Sequence, residues 1–347
     1  MRTHKVGTFT LGCTLVLFGV LFLVHLFGGV LTYSFIFRLW PVVFLLLGGM
    51  SLFDSVVHAL STAGTGGFGT YNASAANFSP YIQWVLTIFM FLFGVNFNLY
   101  YLLLLGRVRD FLHNTELKVY MGIVLVSVAV ITVDILPLYQ SVSVSLRQAA
   151  FQVAAIMTTT GFVSADFTVW TPLSKALLLM LMFVGGCAGS TAGGLKVSRV
   201  AILCKMIRRD LRHTLRPRMV DVIKMDGRRL EEQTAHSVAV YFALYMLCVG
   251  GLLLCLSFSP FDLETNLFAT VSCFNNVGPG FGMAGPVGNY SPYSPVMKLF
   301  LCAGCWGGWR STRCCCCLCR RPGGKSEAGG RKIAFKIYLQ IFRVILR

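Results

Sequence analysis

Along the chain, apolar positions gather into long unbroken runs with short polar connections between them. A transmembrane helix needs about 20 mostly apolar residues. Runs of that kind cover residues 6–32, 81–106, 118–137 and 235–258, and another, 172–204, is broken by glycines. A last run begins at Pro295 and fails after about residue 303. The first run is long for the apolar region of a cleaved signal peptide and lacks a convincing small-residue cleavage site, so it reads as a helix. The pattern predicts an all-α polytopic membrane protein.

Three segments between these runs are semi-apolar and too short to span: residues 51–71, 145–166 and 262–283. They contain FDSVVHALSTAGTGGFGTYN, LRQAAFQVAAIMTTTGFVSADF and FDLETNLFATVSCFNNVGPGFGM. Each is about a dozen helix-compatible residues followed by Gly, Thr or Asn. The unit is a transmembrane helix, a re-entrant pore helix, a filter loop and a second transmembrane helix, and it occurs three times.

Composition agrees. The chain has 347 residues, 56% hydrophobic and 12% charged, with mean hydropathy +0.71. A soluble domain is about one quarter charged, which excludes a soluble enzyme, a disordered chain and a fibre. The net charge of +17 would suit nucleic acid, but the 28 Phe and 12 Tyr lie in apolar runs, not among Lys and Arg. No nucleic-acid partner is expected. Basic residues in cytoplasmic loops are the commoner cause in a membrane protein. Arg2 and Lys5, the segment RVRDFLHNTELK, and residues 196–229, with eleven Lys or Arg against Asp210, Asp221 and Asp226, fall on one side by alternation. The other side holds few cations: Arg38, Arg147, Lys175 and Lys298. A cytoplasmic N-terminus follows.

Irregular backbone at membrane depth survives only where protein buries it or water lines it. The C-terminal end of a short re-entrant helix carries partial negative charge and favours a cation. Glycine permits backbone angles that aim successive carbonyls at one axis, and carbonyl rings can replace the hydration shell of K⁺. Thr65 with Gly66 and Gly67, Thr160 with Gly161, and Asn276 with Val277 and Gly278 fall at equivalent places. Taken singly each is an ordinary glycine turn; three in register on one side point to an ion filter. The segment GGCAGSTAGGLK, residues 185–196, breaks a span midway. Its glycines disfavour a lipid-facing helix, so it reads as a cavity-facing gate or, alternatively, a small-residue packing seam.

At these residues the chain resembles the Trk/Ktr/HKT superfamily of cation transporters, closest to the Trk-type potassium uptake membrane subunit. The strings are HALSTAGTGGFGTYNAS, FQVAAIMTTTGF, GGCAGSTAGGLKVSR and FNNVGPGFG, over roughly residues 5 to 304. The resemblance implies a pore of four pseudo-symmetric repeats in the bacterial inner membrane, K⁺ as the transported ion without organic cofactor, a homodimer, and a cytoplasmic nucleotide-binding regulatory subunit (TrkA-like). By position, the filter is Thr65, Gly66 and Gly67; Thr159, Thr160 and Gly161; and Asn276, Val277 and Gly278. The gating loop includes Gly185, Gly186, Gly189, Ser190, Thr191, Gly193, Gly194 and Lys196. The basic segment 196–229 is one docking surface for the regulator, or simply a consequence of topology.

Two departures shape the expectation. The three repeats match the family's second, third and fourth, with residues 1–110, 111–204 and 235–303 as repeats, 205–234 as a basic cytoplasmic loop and 304–347 as an aberrant tail. After residue 303 the chain reads CWGGWRSTRCCCCLCRRPGG. Suitable codons for this stretch, read one nucleotide earlier, give LLGRLEIYPLLLLFVPATWR, a family-like span. A frameshift near Cys302 to Cys305 is therefore expected. From Gly304 onward there are ten Lys or Arg and one Glu, a net +9. A metal or palmitoylation site is the competing reading of Cys314 to Cys317; four consecutive cysteines lack the usual ligand spacing. The residues 331–347 could lie on an anionic membrane surface. The expected activity is K⁺ uptake through a carbonyl filter with an intramembrane gate, in a chain that is incomplete or inactive as written and not an enzyme. The alternatives are a non-conducting subunit that completes a pore with another chain, and a Na⁺ transporter of the same architecture. His58 reads as a packed polar residue. Asp54 and Asp262 read as caps of their re-entrant helices. Cys13, Cys187, Cys204, Cys248, Cys255 and Cys273 read as small buried hydrophobes.

Overall fold

The computed structural model describes residues 33–216, 222–286 and 288–318. The expected span at 6–32, Cys13 and the tail beyond residue 318 lie outside the described residues. The chain divides into two units, residues 1–312 and 313–347, and the first holds the three filter loops.

The repeats begin with an element that the apolar pattern did not single out. Helix α1 (Tyr33–Leu47) precedes the first re-entrant helix, α2 (Leu52–Ala63), and carries Pro41 inside it. Arg38 and Pro41 obscured it in the sequence. The first repeat closes with α3 (Pro80–Phe93) and α4 (Phe97–Leu104). A short helix α5 (Val108–His113) leads into the second repeat: α6 (Thr115–Asp134), α7 (Leu136–Tyr139), re-entrant α8 (Val142–Met157), α9 (Pro172–Val184) and α10 (Val197–Leu215). The third consists of α11 (Glu232–Leu256), re-entrant α12 (Leu263–Asn275) and α13 (Pro295–Leu318).

Among the described residues, α6 and α11 are long and apolar enough to cross a membrane. The run expected as one span at 81–106 is instead a bent pair, α3 and α4, meeting at 90°. Gly94 ends α3, and the Asn96 side chain accepts from Asn98 N to start α4. The run at Pro295 does not fail at residue 303 as backbone: helix continues to Leu318.

The helix that follows each filter starts the same way. Ser79 and Thr171 each cap a helix whose first residue is proline, Pro80 and Pro172. Ser294 precedes Pro295 and accepts from Met297 N. A hydroxyl cap followed by proline fixes both the first donor and the first φ of a helix. This signal went unread in the sequence.

The core around the first two filters joins α1, α2, α3 and α8 through Leu45, Leu86, Met90, Phe151 and Phe162, all fully buried. Ala59, Ala154 and Ala155 in the same cluster leave room for backbones to approach. In a bilayer this close packing, more than transfer from solvent, holds helices together. Lys224–Met225 (β1) and Arg228–Arg229 (β2) form a two-stranded hairpin over Asp226 and Gly227, both at positive φ, within the basic connection.

Candidate functional site

All three re-entrant helices end in the same hydrogen-bonded turn. Thr65 N donates to Thr62 O at 3.1 Å, and Gly66 N to Ser61 O at 2.7 Å. Thr159 N donates to Ile156 O at 3.0 Å, and Thr160 N to Ala155 O at 2.9 Å. Asn276 N donates to Cys273 O at 3.1 Å, and Val277 N to Ser272 O at 2.9 Å. Such a paired closure requires a left-handed residue just past the helix. Thr65, Thr159 and Asn276 take that place, with φ of 50°, 54° and 56°. The third residue of each loop is again at positive φ, and there it is Gly67, Gly161 or Gly278. The expectation that glycine supplies the unusual angles therefore holds at the third position only. At the first, two β-branched threonines adopt a conformation costing about 1–2 kcal/mol. Such strain persists where the surroundings impose it.

Because these amides turn back into the helix ends, the carbonyls face the other way. Among the described residues, none of the carbonyl oxygens of Thr65, Gly66, Thr159, Thr160 and Val277 accepts a hydrogen bond. Gly278 O accepts from Tyr290 Oη at 2.8 Å. Among the described residues, no group of three or more His, Cys, Asp or Glu side chains is arranged to hold a metal ion. The cation-binding chemistry on offer is thus backbone oxygen at the negative ends of helices.

The three loops nest in order. A Cβ on Gly67 would lie 1.9 Å from Thr160 O, and one on Gly161 would lie 2.0 Å from Val277 O. Each glycine thus abuts the middle carbonyl of the next loop. Gly278 has nothing within 4 Å among the described residues, and Gly66, at the other end of the arc, is exposed. Thr159 and Thr160 in the middle loop are buried.

Residues 185–196 form an irregular loop between α9 and α10, not a continuous helix. Gly185, Gly189, Gly194 and Lys196 are at positive φ. Its stem is closed by Leu195 N to Phe183 O, Lys196 N to Val184 O and Val197 N to Gly186 O, at 3.0–3.1 Å. A Cβ on Gly185 would lie 2.3 Å from Gly193 O, and one on Gly186 would lie 2.6 Å from Ala192 Cβ. Ser190 Oγ donates to Cys187 O, and Lys196 Nζ to Ala192 O. Thr191 Oγ1 is buried without a partner among the described residues. The tip reaches the filter: Gly193 N donates to Thr159 Oγ1 at 2.6 Å, and a Cβ on Gly193 would lie 2.4 Å from Asn275 O. The loop thus closes directly against the base of two of the three filter turns.

Residues not singled out in the sequence hold this arrangement. The α3–α4 bend receives the loop through Cys187 N to Gly94 O at 2.9 Å and Phe97 N to Gly189 O at 3.3 Å. Glu116 on α6 accepts from Ala188 N and Ser198 N. Asn275 Oδ1 accepts from Tyr245 Oη at 2.7 Å. Asn96 is itself a helix cap and Glu116 follows one, Asn114, but nothing local shows what else they touch.

At the outer ends, Asp262 caps α12 as expected, accepting from Thr265 N and from Thr265 Oγ1 at 2.6 Å. Asp54 does not cap α2; Ser51 does. Asp54 sits in the first turn and accepts from Ser51 Oγ, Thr70 Oγ1 and Tyr71 Oη. His58 is fully buried between Phe78 and Phe162, as a packed residue, with Nδ1 donating to Asp54 O at 2.8 Å. Among the cysteines expected to be buried, Cys187 is buried, Cys255 and Cys273 are half-buried, and Cys204 and Cys248 are exposed.

This geometry has counterparts among known proteins. Residues 5–312 match the TrkH family, described as cation transport protein. The Trk system potassium uptake protein TrkH of Salmonella typhimurium is 35% identical over 259 residues, covering 74% of this chain and 53% of that protein. The Trk system potassium uptake protein TrkI of Halomonas elongata is 33% identical over 261 residues, covering 74% of this chain and 53% of that protein. The crystal structure of the potassium transporter TrkH from Vibrio parahaemolyticus superposes with a TM-score of 0.74 at 29% identity, covering 88% of this chain and 69% of that one. The chain spans about half the length of the curated relatives it matches. On the family match alone, which takes in most of its length, the chain belongs to the TrkH family of cation transport proteins.

Proposed function

We propose that this chain contributes three of the filter loops of a potassium-conducting pore in a bacterial inner membrane, with residues 185–196 as its gate. The observation that carries the reading is the threefold recurrence of one turn, with left-handed residues at its first and third positions and, Gly278 O apart, loop carbonyls that accept no hydrogen bond among the described residues. K⁺ would be the cargo, held by the carbonyls of Thr65, Gly66, Gly67, Thr159, Thr160, Gly161, Asn276, Val277 and Gly278. Trk-type relatives support K⁺ over Na⁺. A fourth loop of the same shape, from another segment or chain, would lie between Gly278 and Gly66, the two ends of the arc. A homodimer and a cytoplasmic nucleotide-binding subunit docking on the basic connection belong to the same proposal, with the N-terminus cytoplasmic.

The test is rubidium and sodium uptake in a bacterium lacking its own potassium uptake systems. The chain is expressed alone, with the regulatory subunit, and within the full-length reading frame obtained by resequencing the gene and its flanks. Uptake of rubidium over sodium that is lost in Gly161→Ala supports the reading. Sodium uptake at equal or greater rate assigns the filter to Na⁺. Conduction only in the longer product makes this chain a partial pore.

A further inference from the structure

We propose that Glu116 is the latch of the intramembrane loop: one buried carboxylate oxygen that holds both ends of residues 188–198 shut. The inference rests on the reading of that loop as a gate but names a different residue, on a different helix. Glu116 lies in the first turn of α6 and is 6% exposed. Its Oε1 accepts from Ala188 N at 2.6 Å, near the start of the loop, and from Ser198 N at 3.1 Å, in the first turn of α10. The amides are ten positions apart along the chain, on either side of Gly193, which seals against Thr159. A single acceptor bridging them fixes the width of the loop's mouth. Charge-assisted hydrogen bonds of this kind are about twice as strong as neutral ones.

The surroundings explain why a carboxylate is needed. The rest of the loop is held by backbone bonds to the α3–α4 bend, by its own stem and by the Thr159 hydroxyl. Lys196 Nζ also donates to Ala192 O and Arg199 Nη1 to Leu195 O, and the backbone contacts are each a modest net contribution to stability. Glu116 is the acidic side chain among them, and it is positioned from below: Thr115 N donates to Asp226 Oδ1 at 2.6 Å, and Asn114 Nδ2 to Asp226 Oδ2 at 3.2 Å. The hairpin of the basic connection therefore grips the residue next to the latch. A pull on that hairpin would move Glu116 relative to the two amides. Glu116 is a positioning residue; it does not touch the filter carbonyls.

Hydrogen exchange in full-length protein in detergent or nanodiscs tests this, read on peptides within residues 190–197. Those amides exclude Ala188 and Ser198, which lose their acceptor trivially when Glu116 is replaced. Gly193 and Leu195 amides have other partners and exchange faster only if the loop as a whole is released. Glu116→Ala should raise their exchange roughly tenfold, the size of losing one to two hydrogen bonds. Glu116→Gln keeps an acceptor oxygen without charge and should raise it about threefold. If Glu116→Ala does not fold, Glu116→Gln alone must show the increase. Unchanged exchange at Gly193 and Leu195 overturns the latch. Rubidium flux through the same variants reconstituted in liposomes separates the two readings: faster exchange with unchanged flux leaves the latch standing and removes the gate, whereas faster exchange with raised basal flux supports both.

Discussion

The middle and last filter loops have the same backbone turn but different surroundings. Gly161 and Gly278 are both at positive φ, 81° and 106°. A Cβ at Gly161 would enter the Val277 carbonyl at 2.0 Å; one at Gly278 meets nothing within 4 Å among the described residues. So glycine is required twice at the middle loop, by conformation and by contact, and once at the last, by conformation. The repeat sets the turn, and the position in the arc sets how tightly it is enforced.

Alanine substitution separates the two loops. Gly161→Ala should have the largest effect. Strain of about 1–2 kcal/mol adds to overpacking of about 1–3 kcal/mol, against backbone that cannot move aside cheaply. Thermal unfolding in detergent should drop by several degrees, with loss of any cation flux. Gly67→Ala should behave similarly, since its Cβ would sit 1.9 Å from Thr160 O. Equal tolerance of alanine at 67, 161 and 278 would show that the loops are not nested as described.

Gly278→Ala should cost only the conformational part, about 1–2 kcal/mol. A cost matching Gly161→Ala, in an assembly that includes a further loop, would place that loop's backbone against Gly278. Thr65→Gly should relieve strain at the first position and raise stability by up to about 1 kcal/mol. Thr159→Gly should gain less or lose, because it also removes the acceptor of Gly193 N. If both variants gain equally, the Thr159–Gly193 contact contributes nothing measurable.

The smallest effect belongs to the outer ends. Hydrogen bonds from Thr70 and then Ser51 hold the Asp54 carboxyl below its ordinary range, and Thr265 does the same for Asp262. A lowered carboxyl pKa contributes stability that is complete above the unfolded value, about 3.9, and is lost as pH falls through the folded value. Asp54 is half-buried and Asp262 exposed, so solvent screens both and the change is small. The protection of backbone amides near Thr70, taken relative to their intrinsic exchange at each pH, should fall on acidification below about pH 4, and Asp54→Asn should remove that change. An identical acid response in Asp54→Asn would assign it to other groups.

How much of this was legible in the sequence varies by element. The re-entrant helices, the broken span and the turns that end the helices could be read, because each is a local pattern: a dozen helix-forming residues, then Thr, Asn and Gly. The α1 helix was missed because Arg38 and Pro41 interrupt its apolar run. The bend at Gly94 to Asn96 was hidden inside a continuous apolar run, since hydropathy does not register direction. Asp54 was misread as a cap because FD occurs at the start of both segments, yet the helix begins one turn earlier in α2, at Ser51.

The class of the protein, its three repeats and the residues that make each turn are written in the sequence alone, since apolar run length and helix-end chemistry act over a few neighbouring residues. What faces what was settled by the packed fold. It set Gly67 on Thr160 and Gly161 on Val277, pressed Gly193 against Thr159, and turned Glu116 from one charge in a polar connection into a buried acceptor for two distant amides. Those pairings join residues up to 116 positions apart, and a contact at that separation is fixed by how the helices pack, not by any pattern along the chain.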